Sequence, residues 1–195
     1  MDKKFKLFVD LDGTAAEFKV VDTLETLYEP GYFYNLQPNL NVVDAVKKLI
    51  NNPDVEVFIL SAYLSDSKYA LNEKNLWCDR YFPEIDDKHR LFPTCGEDKT
   101  QFIEKSFGEI NDKFFLLDDY SKNLHSWEPP AKGIKIMNGI NGTQGTWKGS
   151  SLDLNRSASE LSDCISQIMS GVSTFHDLGS NNKEKNQIHR GGNGR

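Results

Sequence analysis

The sequence predicts an α/β fold, a three-layer Rossmann-like parallel sheet, and three observations carry that expectation. Apolar runs at Leu7-Phe8-Val9, Val55 to Leu60 and Lys113 to Leu117 have the length and composition of buried strands. Segments with helical periodicity separate them, as βαβ units require. Each run also ends in carboxylates or a hydroxyl, and the carboxyl ends of parallel strands are where such sheets bind ligands.

The first strand, Lys4 to Val9, runs into Asp10-Leu11-Asp12-Gly13-Thr14. A short mixed segment over 15–38 follows as an insertion after that strand. From Asn41 to Asn51, Val42, Val43, Val46, Leu49 and Ile50 recur at helical spacing and predict a helix lying on the sheet. Val55 to Leu60 is the second strand and ends at Ser61. A helix is expected over Ser67 to Tyr81, with Tyr69, Leu71 and Trp77 among its buried residues, then a short strand over His89 to Phe92. Lys99 to Phe107 reads as helix, Lys113 to Leu117 as a strand ending in Asp118-Asp119, and Gly133 to Met137 as the last strand. The final helix spans Ser157 to Met169, with Leu161, Ile165 and Ile168 on one face. Residues 172–195 are polar and glycine-rich and cannot bury enough apolar surface to order themselves. The expectation is one domain over 1–171 and a disordered tail.

Composition narrows the function. With 195 residues and 38% hydrophobic content the chain suits a single domain with a sizeable core. A net charge of -6 gives no counterion-release drive toward nucleic acid, so no stable nucleic acid complex is expected. No apolar run approaches the roughly 20 residues of a membrane span, and the N-terminus lacks a signal-peptide apolar region; a cytoplasmic location is expected. Cys78, Cys95 and Cys164 form no C-x-x-C pair and read as reduced thiols, partly in the core. Nothing in the sequence fixes an oligomeric state.

Asp10 and Asp12 can reach one crevice as the strand ends. Two such charges about 4 Å apart repel by about 4 kcal/mol at an effective dielectric of 20, so the pair calls for a cation or a shared proton. A calcium loop of the EF-hand type is a poor fit, because its sixth and twelfth positions hold Ala15 and Val21 in place of Gly and Glu. A solvated turn with an Asp cap remains an alternative for this stretch alone. Ser61, Lys99 and Asp118-Asp119 each have an equally plain reading as helix cap, surface lysine and polar turn. Their joint occurrence at successive strand ends suits phosphoryl transfer from a small phosphate ester: one carboxylate attacks phosphorus, a second protonates the leaving oxygen, a hydroxyl and a lysine hold phosphoryl oxygens, and an acidic pair anchors Mg2+.

These residues resemble the motifs of the haloacid dehalogenase superfamily of phosphatases, whose first motif is Asp-x-Asp-Gly-Thr/Val. Asp10-Leu11-Asp12-Gly13-Thr14 matches it, Ser61 stands where the second motif has Ser/Thr, Lys99 where the third has lysine, and Asp118-Asp119 where the fourth has an acidic pair. The resemblance implies that Asp10 is the nucleophile and Asp12 the acid and base. It implies that Asp10, the Asp12 carbonyl and Asp119 hold Mg2+ directly, with Asp118 acting through water. It assigns the phosphate to Gly13, Thr14, Ser61, Ala62 and Lys99.

A closer resemblance is to the 5'(3')-deoxyribonucleotidases of the pyrimidine, cytosolic type. Glu29-Pro30-Gly31-Tyr32-Phe33-Tyr34-Asn35-Leu36-Gln37-Pro38 is similar to that family's Pro-Gly-Phe-Phe-x-x-Leu-x-Pro stretch. Glu73-Lys74-Asn75-Leu76-Trp77 is similar to its Glu-Lys-x-x-Trp helix, and Asp98-Lys99-Thr100 to its Asp-Lys-Thr. What this implies is a deoxynucleotide substrate, with Phe18, Tyr32 and Phe33 against the base. Two departures matter: only 15–29 stand where the family has a helical cap of several dozen residues, and Ala62 replaces a serine that binds phosphate, leaving its N–H. A sugar phosphate, a nucleic-acid end phosphate, or a receiver-like phospho-accepting domain are the alternatives. Chain order argues against the receiver, which carries its acidic pair on the first strand.

Overall fold

The computed structural model describes residues 4–18, 21–141 and 146–177. Six parallel strands form one sheet in the order β3-β2-β1-β4-β5-β6, with β1 Phe5–Val9, β2 Val55–Leu60, β3 Arg90–Leu91, β4 Phe114–Asp118, β5 Lys132–Met137 and β6 Ser150–Asp153. The helices are α1 Leu40–Ile50, α2 Ala70–Tyr81, α3 Lys99–Phe107, α4 Ser121–Trp127 and α5 Ala158–Met169. The chain winds outward from β1 to β3, crosses back through α3 to β4, and winds the other way to β6. The winding therefore reverses beside β1, and a crevice opens there at the carboxyl ends of β1 and β4.

Side chains alternate across β1 into two apolar layers, because a central parallel strand is covered on both faces. Leu7 and Val9 join α1, α2 and α5 in one layer, where Leu49, Trp77 and Ile165 are buried. Phe8 joins α3 and α4 in the other, stacked on Phe58 at 5.0 Å and edge-on to Trp127 at 5.3 Å. The expected three layers are present.

The structure differs from the sequence expectation in four places. Gly133 to Met137 is not the last strand: β6 follows it, with a single aliphatic residue, Leu152, in Ser150-Ser151-Leu152-Asp153. Helix α4 is only seven residues long and buries just Leu124 and Trp127, too little to show a period. Tyr69 and Leu71 are exposed rather than buried, and the inward face of α2 is Ala70, Glu73, Lys74, Trp77 and Cys78. Residues 172–177, counted with the tail by composition, run beside β6: the Ser151 N–H donates to the Phe175 carbonyl at 2.7 Å and Arg156 grips Asp177 with two guanidinium nitrogens. Positions 178–195 lie outside the described residues.

Among its described residues the short 15–38 insertion carries one 3₁₀ turn, Leu24–Tyr28, which buries none of its residues. Its two ends are stitched to the end of β1 through bridges from Ala16 to Asp12 and to Pro38. Cys78 and Cys164 are buried free thiols and Cys95 is an exposed one. Among the described residues no helix is long and apolar enough to cross a membrane.

Candidate active site

Asp10 is the last residue held by the sheet, its N–H donating to the Leu117 carbonyl at 2.9 Å. The chain then turns sharply: the Thr14 and Ala16 amides both donate to the Leu11 carbonyl. Gly13 completes the turn with φ +85°, and a Cβ there would stand 2.4 Å from an Asp119 carboxylate oxygen. Both the left-handed backbone and the close approach require glycine.

Lys99 is the first residue of α3, whose N-terminus is capped by the Asp98 carboxylate accepting from the Gln101 N–H. That cap aims the lysine inward. Its ammonium donates to Asp10 Oδ1 at 2.8 Å and to Asp118 Oδ2 at 2.7 Å. Asp118 is further held by the Tyr120 N–H at 2.7 Å and Asn123 Nδ2 at 2.9 Å. Asp119 Oδ2 accepts from Asn138 at 2.7 Å and from Asn141 at 2.6 Å, while the buried Lys135 ammonium donates to its carbonyl.

Asp10, Asp118 and Asp119 each offer an oxygen within 4.8 Å of the others, and all three residues are buried. Burial, with help from Asp118, Asp12 and Asp119, raises the Asp10 pKa to about 7 against the opposing charge of Lys99. Burial, then the Asp118 charge, raises Asp119 to about 6 although Asn141, Asn138 and Lys135 oppose it. Burial pulls Lys99 down, yet the Asp10 and Asp118 carboxylates push it above its ordinary value. The donor set is oxygen alone, and Asp10 Oδ2, Asp119 Oδ1 and the Asp12 carbonyl accept no hydrogen bond from the described residues. Such a set fits a hard divalent cation. Both Asp118 oxygens are already engaged by Lys99, Asn123 and Tyr120, which suits contact through water.

This crowding has a consequence for stability. Asp10 in the folded chain titrates above its ordinary value of 3.8, so between about pH 4 and pH 7 the folded state binds more protons than the unfolded one, and stability falls as pH rises through that window. The melting temperature of the cation-free protein is expected to be higher at about pH 5.5 than at about pH 8, and added Mg2+ should raise it most at the higher pH. Melting curves with chelator and with Mg2+ check this; a Mg2+ shift no larger at the higher pH contradicts it.

A second lysine reaches the site from α2. The Lys74 ammonium pairs with Asp12 Oδ2 and donates to Ser61 Oγ at 3.0 Å, with the Phe33 ring 4.9 Å from it. Its neighbour Glu73 accepts from the amides of Gly31 at 2.5 Å, Phe33 at 3.0 Å and Tyr34 at 3.4 Å, and Trp77 Nε1 donates to the Leu36 carbonyl at 2.8 Å. One turn and a half of helix thus clamps the end of the insertion and the second carboxylate together. The expected site residues did not include Lys74, Lys135, Asn123, Asn138 or Asn141. Lys74 had a readable signal, since Glu73 and Lys74 occupy the same helix face as Ala70, Trp77 and Cys78; a charged pair on a buried face needs partners.

Asp10, Asp12, Gly13, Ser61, Lys99, Asp118 and Asp119 are brought together around the crevice. Asp12 Oδ1 and Thr14 Oγ1 are buried without a hydrogen-bond partner among the described residues. The Ser61 N–H is spent on the Leu91 carbonyl at 3.1 Å, leaving its hydroxyl, whereas the Ala62, Leu11 and Asp12 amides donate to no acceptor among the described residues. Phe18 is half-buried beside a cavity of about 410 Å³ lined by Gly13, Asn39, Asn138, Ile140 and Leu154. Phe33 is buried in the core under Lys74, and Tyr32 packs edge-on against it at 4.9 Å.

No family model matches the chain. It is similar to a provisionally named 5'(3')-deoxyribonucleotidase of Staphylococcus epidermidis, 29% identical over 105 residues that make up 54% of this chain and 50% of that protein. It is also similar to two human proteins, the cytosolic 5'(3')-deoxyribonucleotidase, 32% identical over 63 residues (32% of this chain, 31% of that protein), and the mitochondrial one, 25% identical over 123 residues (53% of each). The chain spans about half the length, or less, of the curated relatives it matches.

Proposed function

We propose that the chain is a phosphomonoesterase of the haloacid dehalogenase type, dependent on Mg2+ and acting through an aspartyl-phosphate, with a deoxynucleoside monophosphate as substrate. The observation that carries the reading is Lys99, whose ammonium bridges Asp10 and Asp118 at 2.8 and 2.7 Å, two of a cluster of three carboxylates completed by Asp119. A lone buried lysine would lose its proton; here it supplies a fixed positive charge where phosphoryl oxygens gather. The likeness to nucleotidases supports the substrate class.

Asp10 Oδ2, the oxygen Lys99 leaves free, attacks phosphorus, forming the Asp10 Oδ–P bond as the P–O bond to the alcohol breaks. Asp12 Oδ1, the oxygen Lys74 leaves free, gives its proton to the departing alkoxide. In the second half Asp12 takes a proton from water, which attacks phosphorus and frees Asp10. Asp10, Asp119 and the Asp12 carbonyl would hold Mg2+, which when bound offsets the charge of the phosphoryl group. Ser61 Oγ, Thr14 Oγ1, Lys99 and the Ala62 amide hold phosphoryl oxygens.

The test is phosphate release over a panel of deoxynucleoside monophosphates, sugar phosphates and phosphorylated oligonucleotide ends, with Mg2+ and with chelator. Release that needs Mg2+ and is fastest with deoxynucleotides is the expected result. Faster turnover of sugar phosphates would move the substrate, and none with any ester would end the phosphatase reading.

A further inference from the structure

We infer that Lys135 is a positioning residue for the cation site: its ammonium supplies a resident positive charge that keeps the acidic cluster assembled when no divalent cation is bound, and it leaves free the oxygens that the cation needs. This rests on the reading of Asp10, Asp119 and the Asp12 carbonyl as Mg2+ ligands. Lys135 lies inside β5 between Ile134 and Ile136 and is fully buried. The two isoleucines belong to the layer of α1, α2 and α5, so the side chain between them leaves the sheet on the opposite face, where Leu116, Leu124 and Trp127 pack. An aliphatic residue is what the strand period calls for there. A lysine taken out of water is costly unless its charge is answered, and a hydrophobic residue of similar volume is often at least as stable in its place.

What answers the charge is the site. Lys135 is in register with Asp118 on the neighbouring strand, and its ammonium donates to the main-chain carbonyl of Asp119. Two other buried lysines reach the cluster, and both occupy carboxylate oxygens: Lys99 takes one of Asp10 and one of Asp118, Lys74 one of Asp12. Lys135 takes none among the described residues. Its bond to a carbonyl brings positive charge beside Asp118 and Asp119 without closing Asp119 Oδ1, the oxygen that the two asparagines also leave open. Burial pulls the Lys135 pKa below its ordinary value, and the Asp119 and Asp118 charges resist that pull. With all groups ionised, the carboxylates of Asp10, Asp12, Asp118 and Asp119 exceed the ammoniums of Lys74, Lys99 and Lys135 by one charge. Without Lys135 the excess is two. The cluster then has more to gain from a divalent cation, so stability without the cation falls and affinity for it rises, two sides of one linkage.

The test uses the full chain at about pH 8 and Mg2+ alone, reading its dissociation constant by calorimetry and the melting temperature in chelator and at one saturating Mg2+ concentration. Lys135→Met, neutral and of similar length, is expected to bind Mg2+ about tenfold more tightly than the wild type. The gap between its two melting temperatures should widen by about 4 °C, most of it through a lower value in chelator. Lys135→Gln keeps a donor for the Asp119 carbonyl without the charge and should widen the gap as well, which separates the charge from the hydrogen bond. A lysine kept for packing alone would lower both melting temperatures by the same amount. An unchanged or narrower gap in either variant overturns the role of Lys135 and leaves the cation site standing. Folding of Lys135→Met only when Mg2+ is present is the expected result at its extreme, whereas failure of both variants to fold in saturating Mg2+ makes the lysine a packing residue and overturns the inference. A wild type that neither gives a binding heat nor melts higher with Mg2+ overturns the cation site and the role of Lys135 together.

Discussion

Asp10→Asn is expected to lower kcat by more than about 10⁴-fold, the scale on which removal of a covalent nucleophile acts. An amide at this position neither attacks phosphorus nor keeps the charge that Lys99 grips at 2.8 Å. The variant should nonetheless fold. Asp10 is held among Asp12, Asp118 and Asp119 with its pKa raised by burial, so replacing it by a neutral group of the same shape relieves repulsion in the cation-free protein. At about pH 8 without Mg2+ its melting temperature should therefore equal or exceed that of the wild type. Steady-state turnover and melting curves on one preparation check both statements. Activity within about 100-fold of wild type would remove Asp10 from the nucleophile's role.

Asp12→Asn is expected to cost about 10²- to 10⁴-fold on alkyl phosphates, the usual contribution of a positioned acid and base. The loss should shrink with p-nitrophenyl phosphate, whose leaving group departs without a proton. Hydrolysis of the phosphoenzyme still lacks its base, so labelled aspartyl-phosphate should accumulate with that ester. Folding will suffer here, because the Lys74 side chain is only 2% exposed and loses the carboxylate that neutralises it. A folding defect lowers turnover of every ester alike. Dependence on the leaving group is thus the diagnostic, and a uniform loss would contradict the assignment.

Much of the site was legible because its residues sit at strand ends. Asp10 and Asp12 follow a run that reads as a buried strand, Ser61 follows a second, Asp118-Asp119 a third, and parallel topology brings such ends to one edge. Lys99 was legible for another reason, since it opens the helical run to Phe107 and stands where the third motif has its lysine, while the Asp98 cap that starts α3 came from the structure. The ring of supporting groups was not. Asn138 and Asn141 lie just after β5 in a stretch whose polar composition fits any turn, and their hold on Asp119 depends on where residues 138–141 come to lie beside Gly13, whose carbonyl accepts from Asn138 at 2.7 Å. Lys74 could be inferred to need a partner, though its spacing from Asp12 named none.

The sequence by itself determined the layered parallel sheet, the edge at which the acidic residues meet and the glycine between them, because hydrophobic period and strand polarity are local properties of the chain. Only the tertiary structure decided which oxygens remain free: Lys99 takes one of Asp10, Lys74 takes one of Asp12, and the two asparagines take one of Asp119. It alone also decided that residues 175–177 pair with β6 and that Phe33 is buried while the Tyr32 hydroxyl finds no partner among the described residues. Those outcomes depend on groups dozens of residues apart arriving within about 3 Å of one another, and short-range pattern holds no record of such meetings.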